Sequence, residues 1–170
     1  MKWIGISGSW RYSTPQLEID LRREVSKIMA EGNGVVVGGA LGVDFKVTRI
    51  VLKRDPSIKH IKIFLPTDLP SYVKHLNKRV SEGIISAKEA HQLIKQLETV
   101  KHRRPEAIIE PPRPKKVNQR SYYARNGYIV QGVDEIIAFQ VNNSPGTENA
   151  VKQAHILHKK VTKFSYTVKN

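Results

Sequence analysis

The sequence lacks cysteine altogether, which excludes disulfides, thiolate metal sites and cysteine nucleophiles and fits a reducing compartment. It also lacks an apolar run near the roughly 18 to 20 residues of a membrane span. The apolar start is interrupted by Ser7, Gly8 and Arg11, which is too early for a signal peptide. His155 and His158 have no third metal ligand in their pattern. We therefore expect a cytoplasmic protein with no membrane partner and no metal site.

Acidic residues are scarce in this chain. It has 15 Asp and Glu residues against 29 Lys and Arg residues, a formal net charge of +14 over 170 residues. This excess favours nucleic acid, a nucleotide or another polyanion as the partner. With 39% hydrophobic and 26% charged residues the composition is that of a globular protein. The length corresponds to about one domain, so we expect a single folded domain over residues 1–170.

Five short apolar runs alternate with segments of helical spacing. Continuous apolar runs of this length are typical of strands in a parallel sheet that is covered on both faces. One helix is predicted to start at Thr14 as N-cap before Pro15, and another after Gly42. The sequence therefore predicts an α/β fold with a doubly wound parallel sheet of about five strands. The predicted strands are residues 3–9, 34–39, 61–65, 135–141 and 161–166, and later helices are predicted over 119–130 and 147–158.

Residues 67–117 differ from this pattern and are interpreted as an insertion that packs on the sheet. Ser86 and Glu89 have the spacing of a capping box at the start of one helix. Four prolines follow within ten residues, which predicts an extended, partly mobile loop. From Lys101 to Arg120 there are seven basic and two acidic residues, a local charge of +5.

Three glycine-containing loops follow predicted strands and open predicted helices, at residues 7–11, 38–42 and 144–147. Glycine lets the backbone approach a ligand closely, and a helix N-terminus offers unpaired N–H groups to phosphate. If the first strand is central, the first and third loops flank the point where the strand order reverses. Neither G-x-x-x-x-G-K-[ST] nor G-x-G-x-x-G occurs, which argues against P-loop NTPases and classical dinucleotide dehydrogenases.

The segments GISGSWR, VVVGGALGVD and YARNGYIVQGVDEIIAFQVNNSPGTENAVKQA resemble the SLOG superfamily, the Rossmann-like group that includes the DNA-processing protein DprA (Smf) and the LOG-type proteins. The resemblance spans about two thirds of the chain and omits the insertion. It implies a Rossmann-like fold and a nucleotide or nucleotide-derived phosphate ligand. The residues implied to hold this ligand are Gly8, Ser9, Arg11, Gly38, Gly39, Gly42, Asp44, Arg125, Asn126, Ser144, Gly146 and Thr147.

Several of these residues have a second interpretation. Arg11 is either a bidentate phosphate clamp or a solvated surface side chain. Asp44 either contacts a ribose hydroxyl or complements the dipole of the helix that it opens. Asn126 either orients a phosphate or caps the preceding helix.

The resemblance is incomplete at the position that would carry catalysis. The phosphoribohydrolases of the LOG branch have P-G-G-x-G-T-x-x-E, and this chain has Ala150 in place of that Glu. Glu148 is nearby, but a shift of two positions on a helix turns a side chain by about 200°. An N-glycosidase or transferase that acts on nucleoside monophosphates through Glu148 is therefore the least favoured alternative, and we do not expect an enzyme.

The preferred hypothesis is a nucleotide-binding sensor or carrier that requires no cofactor, with ligand identity and a homo-oligomeric state left open. The alternative is DprA-like binding of single-stranded DNA, since basic residues followed by Tyr122 and Tyr123 are typical of a single-strand groove. The basic residues assigned to this groove are Arg103, Arg104, Arg113, Lys115, Lys116 and Arg120.

Overall fold

A computed structural model describes residues 1–169 of the chain. Within these residues one parallel sheet of six strands is flanked by six α-helices. The strands are β1 Trp3–Gly8, β2 Gly34–Val37, β3 Ile61–Phe64, β4 Ile108–Ile109, β5 Glu135–Val141 and β6 Lys160–Tyr166. The helices are α1 Pro15–Ala30, α2 Val43–Arg54, α3 Leu69–Ser81, α4 Ala87–Arg103, α5 Gln119–Gln131 and α6 Pro145–Ile156, with a 3-10 turn at Pro105–Ala107. The predicted α/β fold with a doubly wound parallel sheet is confirmed.

The central strand of the sheet is β1, because the strand order is β4-β3-β2-β1-β5-β6. The chain moves outward through β2, β3 and β4 and then returns to the other side of β1. Gly5 of β1 accordingly pairs with Val36 of β2 on one side and with Ile136 of β5 on the other. The strand order reverses between β1 and β5, and ligands of open α/β sheets bind at the carboxyl ends of the strands at such a point. The first and third glycine loops lie on either side of it, as the sequence predicts.

The helices begin where their sequences supply a cap. The Thr14 side chain accepts a hydrogen bond from the Leu17 N–H at 3.0 Å, directly before α1, as predicted. The apolar face of α1 then buries Leu17, Leu21 and Val25 against the sheet, each no more than 1% exposed. Local capping and the hydrophobic face therefore agree with each other along this helix.

Residues 67–117 contribute α3, α4 and β4 to the domain. The predicted capping box is present at the start of α4. Three side chains of α4, Leu93, Leu97 and Val100, are fully buried in the main hydrophobic core. This segment packs against the sheet, as expected, and supplies an edge strand as well as core side chains. Its origin as an insertion stays a prediction.

Two elements of this segment are missing from the sequence-based prediction. Strand β4 is only two residues long, and prolines lie on both sides of it, so no apolar run of strand length reveals it. Helix α3 is preceded by Asp68, whose carboxylate accepts from the Ser71 N–H at 3.2 Å, and Pro70 is tolerated in the first turn. Its buried face is formed by Leu69, Tyr72 and Leu76. The capping signal of α3 was therefore present in the sequence but was not used.

Candidate functional site

A cleft of about 630 Å³ opens at the carboxyl ends of the strands, beside the point where the strand order reverses. It extends from the first and third glycine loops to the space between α3 and α5. Five residues implied by the resemblance, Ser9, Arg11, Gly39, Gly42 and Thr147, do not line the cleft. The implied residues that do line it are Gly8, Gly38, Asp44, Arg125, Asn126, Ser144 and Gly146.

The first loop is held by Ser9, which is 3% exposed. Its hydroxyl oxygen accepts hydrogen bonds from the backbone N–H of Tyr12 at 3.1 Å and of Arg11 at 3.4 Å. The Arg11 side chain is exposed, and its guanidinium carbon lies 4.6 Å from the centre of the Trp10 ring. Ser9 therefore shapes the loop, and Arg11 lies at the surface outside the cleft.

Close backbone packing explains two of the loop glycines. A Cβ on Gly8 would lie 2.5 Å from a methyl group of Val43, where β1 passes the start of α2. Gly42 has φ +71° and ψ −122°, and a Cβ there would clash with the Ser9 carbonyl oxygen and lie 2.6 Å from the Trp10 Cα. Gly42 thus joins the second loop to the first and does not touch the cleft.

The second loop is occupied by a carboxylate of the protein itself. Asp44 Oδ2 accepts from the N–H of Gly38 at 3.0 Å and from the N–H of Ala40 at 3.2 Å. Burial raises the pKa of the Asp44 carboxyl, while the Arg125 cation and the two N–H groups act in the opposite direction. Two N–H groups of the second loop, those of Gly38 and Ala40, are therefore already paired. Asp44 Oδ1 accepts no hydrogen bond within residues 1–169.

Arg125 and Asn126 of α5 connect the second loop to the third. Arg125 is 8% exposed, and its Nη1 donates to the carbonyl of Gly38, while its Nε donates to Asn126 Oδ1 at 3.1 Å. Asn126 Nδ2 in turn donates to the Gly146 carbonyl at 3.3 Å and to Asn149 Oδ1 at 3.2 Å. The Arg-Asn pair therefore fixes the distance between the two loops across the cleft.

The third loop keeps its donors unpaired. Ser144 is the N-cap of α6, and its side chain makes no capping hydrogen bond. The backbone N–H groups of Gly146 and Thr147 donate to no group within residues 1–169, and a Cβ on Gly146 would meet nothing within 4 Å. The N-terminus of α6 therefore presents free N–H groups and the positive end of its dipole at the cleft, which is the arrangement that binds phosphate.

The opposite end of the cleft is aromatic. Tyr72 and His75 of α3 are stacked with ring centres 6.5 Å apart, and Tyr122 of α5 meets His75 edge-on at 6.3 Å. Burial lowers the pKa of His75, and the neighbouring Arg79 cation lowers it further. The imidazole is therefore uncharged at neutral pH. The sequence-based prediction missed Tyr72 and His75 because it missed α3; their spacing of three along that helix was the available signal.

Comparison with solved structures identifies the fold. DprA from Helicobacter pylori, whose single-stranded DNA binding mode has been described, has a TM-score of 0.66 at 19% identity over 95% of this chain. The structural-genomics target TM1055 has a TM-score of 0.56 at 14% identity, and DprA from Streptococcus pneumoniae 0.51 at 14% identity, each over 95% of this chain. The chain has the Rossmann-like fold of the DprA proteins. These neighbours share the Rossmann-like fold that the resemblance implies.

The likeness to DprA is one of fold, and the chain is shorter than these neighbours. It spans 64% of the Helicobacter pylori DprA chain, 72% of TM1055 and 58% of the Streptococcus pneumoniae DprA chain. No protein-family model matches the sequence, and no curated protein is significantly similar to it.

Within this DprA-like fold Glu148 lies outside the cleft. Its side chain is exposed on α6, and its Oε1 accepts from Gln140 Nε2 at 3.0 Å. Ala150, at the position of the LOG-type glutamate, is 4% exposed and lines the cleft. The position that faces the cleft therefore carries a methyl group, and the nearby carboxylate points elsewhere. This placement does not support the catalytic role considered for Glu148.

The basic segment is divided between the two edges of the sheet, contrary to the expectation of one groove. Because β4 is parallel to β3, residues before it lie at the amino edge and residues after it at the carboxyl edge. Arg103 Nη2 donates to the Pro56 carbonyl at 2.6 Å, and Arg104 pairs with Glu106 at 3.0 Å, both at the amino edge. The residues on the side of the cleft are Arg113, Lys115, Lys116 and Arg120.

Within residues 1–169, no group of three or more His, Asp or Glu side chains is arranged to hold a metal ion. None of the helices formed by these residues has the length and apolar character needed to cross a membrane.

Proposed function

We propose that the cleft binds a nucleotide or a nucleotide-derived phosphate, as a sensor or carrier. The observation that carries this proposal is the unpaired third loop, where Gly146, with its free N–H group, lines a cleft at the reversal of strand order. A volume of about 630 Å³ lies within the usual range for small-molecule sites. The loop, the helix dipole and the position in the sheet all favour an anionic ligand at the same place.

In this proposal the second and third glycine loops have different roles. The phosphate accepts hydrogen bonds from the third loop, and the Ser144 hydroxyl is beside it. The second loop, closed by Asp44, keeps Asp44 Oδ1 unpaired at the cleft as an acceptor for a sugar hydroxyl. A ligand with a phosphate at one end and hydroxyl groups near its middle matches both features.

The test is a thermal-shift and calorimetric screen with inorganic phosphate, ribose 5-phosphate and the nucleoside 5′-monophosphates. A ligand that binds only the native state raises the free energy of unfolding by about 2.7 kcal/mol at a hundredfold excess over Kd. We expect such stabilisation with at least one organic phosphate. If no phosphate compound shifts the transition, and native mass spectra of the purified protein contain no bound ligand, the proposal is wrong.

A second candidate function is the binding of single-stranded DNA. Two observations support it: the likeness in fold to Helicobacter pylori DprA, and the basic residues that follow β4 at the edge of the sheet where the cleft opens. Among them, Arg113 and Lys116 are exposed and make no ion pair within residues 1–169. Lysine and arginine side chains in such a position neutralise the phosphates of a strand that passes over the cleft.

Fluorescence anisotropy with a labelled oligothymidine tests this candidate. We expect binding at low salt, with an affinity that falls by a slope of about −0.7 per phosphate neutralised. The double variant Arg113→Glu and Lys116→Glu should weaken binding strongly. Its matched control, Arg54→Glu and Lys59→Glu, changes the same net charge at the amino edge and should weaken it less. Equal losses in both double variants would attribute binding to net charge and contradict a DNA path along the cleft.

A further inference from the structure

The aromatic end of the cleft is assembled from elements that the three glycine loops do not supply. Tyr72 and His75 come from α3, and Tyr122 comes from α5. Helix α3 belongs to residues 67–117, the segment that lies outside the SLOG resemblance. The apolar side chains around the three rings are Leu76, Ile84, Ile85 and Val117.

The three rings are held in place by neighbours on several sides. The Tyr72 hydroxyl donates to the carbonyl of Gly39 at 3.1 Å, which anchors the ring to the second loop. Tyr122 Oη lies 3.4 Å from His75 Nε2, and the Arg125 guanidinium carbon lies 5.6 Å from the centre of the Tyr122 ring. Tyr72 is only 1% exposed, so a ligand that enters here lies against the partly exposed His75 and Tyr122 rings. Because these side chains are already ordered, little conformational entropy is lost on binding.

The charge at this end differs from the charge at the third loop. The imidazole of His75 is uncharged at neutral pH, because burial and Arg79 lower its pKa. Arg79 itself pairs with Glu82 at 3.1 Å. The aromatic end is therefore suited to an uncharged planar group, whereas the third loop is suited to an anion. Both ends belong to one continuous cleft.

We infer that the space beside the His75 and Tyr122 rings, lined also by the almost fully buried Tyr72, is a subsite for the nucleobase of the ligand. A nucleobase is planar, uncharged at neutral pH and joined to phosphate through a sugar, so one molecule occupies both ends of the cleft. Aromatic faces bind bases of every kind by stacking. This inference rests on the proposed function, because it places the phosphate of the same ligand at the third loop.

The test compares phosphate ligands that carry a base with one that carries none. Isothermal titration calorimetry gives Kd for the four nucleoside 5′-monophosphates and for ribose 5-phosphate. We expect at least one monophosphate to bind roughly 5- to 150-fold more tightly than ribose 5-phosphate, the range that stacking of one base provides. Upfield shifts of the His75 ring protons in the NMR spectrum should accompany the monophosphate and not ribose 5-phosphate.

Two variants separate stacking from folding. Tyr122→Leu fills much of the same space without an aromatic face, and should reduce monophosphate affinity toward that of ribose 5-phosphate while changing the latter by less than twofold. Tyr128→Leu is the matched control, since Tyr128 is an exposed tyrosine of the same helix that does not line the cleft. It should leave both affinities unchanged.

The outcomes distinguish this inference from the proposed function. Equal binding of the monophosphates and ribose 5-phosphate by the wild-type protein overturns the base subsite and leaves the phosphate site standing. A similar loss of both ligands in Tyr122→Leu also overturns it, because the tyrosine would then act only through the fold. If none of these ligands binds, the proposed function is wrong and the base subsite is wrong with it.

Discussion

The second and third glycine loops have the same strand-loop-helix arrangement, but they differ in whether their N–H groups already have an acceptor. Each follows a strand, contains glycine and opens a helix. Asp44 is the second residue of α2, and its carboxyl group accepts hydrogen bonds from the loop N–H groups of Gly38 and Ala40. At the second position of α6 stands Gly146, and the N–H groups there stay unpaired within residues 1–169. One loop has its own carboxyl group as an acceptor, and the other is open to an anion from solution.

This difference shows that a glycine-containing loop before a helix is not by itself a phosphate site. The feature that differs is whether a side chain from the first turn of the following helix already accepts hydrogen bonds from loop N–H groups, as Asp44 does from Gly38 and Ala40. Asp44 makes the second loop part of the scaffold, and Arg125 ties that scaffold to α5.

Replacement of a glycine should have very different effects on stability in the two loops. Gly42→Ala puts a Cβ against the Ser9 carbonyl at φ +71°, so we expect the free energy of unfolding to fall by about 4 kcal/mol. Gly146→Ala meets nothing within 4 Å and removes backbone entropy from the unfolded state, so it should change stability by no more than about 1 kcal/mol. Urea denaturation followed by circular dichroism measures both. Similar losses would show that the third loop is as constrained as the second.

Removal of the internal anion should destabilise the second loop. Asp44→Ala leaves the N–H groups of Gly38 and Ala40 unpaired and removes the carboxyl group near Arg125, and we expect a loss of about 2 to 3 kcal/mol. Asp44→Asn keeps one acceptor oxygen and should lose less. The same urea experiment measures both variants. An Asp44→Ala protein as stable as the wild type would mean that water or solvent anions replace the carboxylate without cost.

A carboxylate added to the third loop should weaken the binding of phosphate there. Gly146→Asp places a carboxylate at the helical position that Asp44 occupies in α2. We expect affinity for ribose 5-phosphate to fall at least tenfold, about 1.4 kcal/mol, while stability changes by less than about 0.5 kcal/mol, since an acidic residue suits a helix N-terminus. Gly146→Asn is the uncharged control of similar shape and should lose less affinity. Equal losses in both would indicate that steric bulk, and not charge, blocks the ligand.

The smallest expected effect is a pH dependence specific to Asp44. Burial raises the pKa of this carboxyl in the folded protein, so between the unfolded and folded pKa values the folded state holds more protons. Stability therefore falls as the pH rises from about 4 through the folded pKa. The free energy of unfolding of the wild type, minus that of Asp44→Asn, should decrease over this interval, because the other carboxyls are common to both proteins. A constant or increasing difference would contradict the direction of the shift.

The main elements of the fold were predictable because they have strong local signals. Strands β1, β2 and β5 are mostly apolar runs, and α1 has both Thr14 as a cap and an apolar face that repeats with the helical period. Strand β4 was not predictable in this way, because two residues between prolines provide no periodicity. The number of strands, six instead of about five, differs for that reason.

The candidate site was predictable in part. The glycine loops were located correctly along the chain, and the reversal of strand order beside β1 places the first and third of them together. The state of the donors was not predictable. The sequence indicates that Asp44 is a ribose contact or a dipole partner, whereas its hydrogen bonds to Gly38 and Ala40 depend on the turn that the loop makes. The aromatic end was missed together with α3.

The amino-acid sequence by itself determined the parallel α/β architecture, the three loops and the excess of positive charge, because each depends on the local order of residues. The tertiary structure alone decided which N–H groups remain free, which aromatic rings meet, and which basic residues share an edge with the cleft. Arg103 and Arg113 show the reason: they lie ten positions apart along the chain, and a single short strand between them carries them to opposite edges of the sheet.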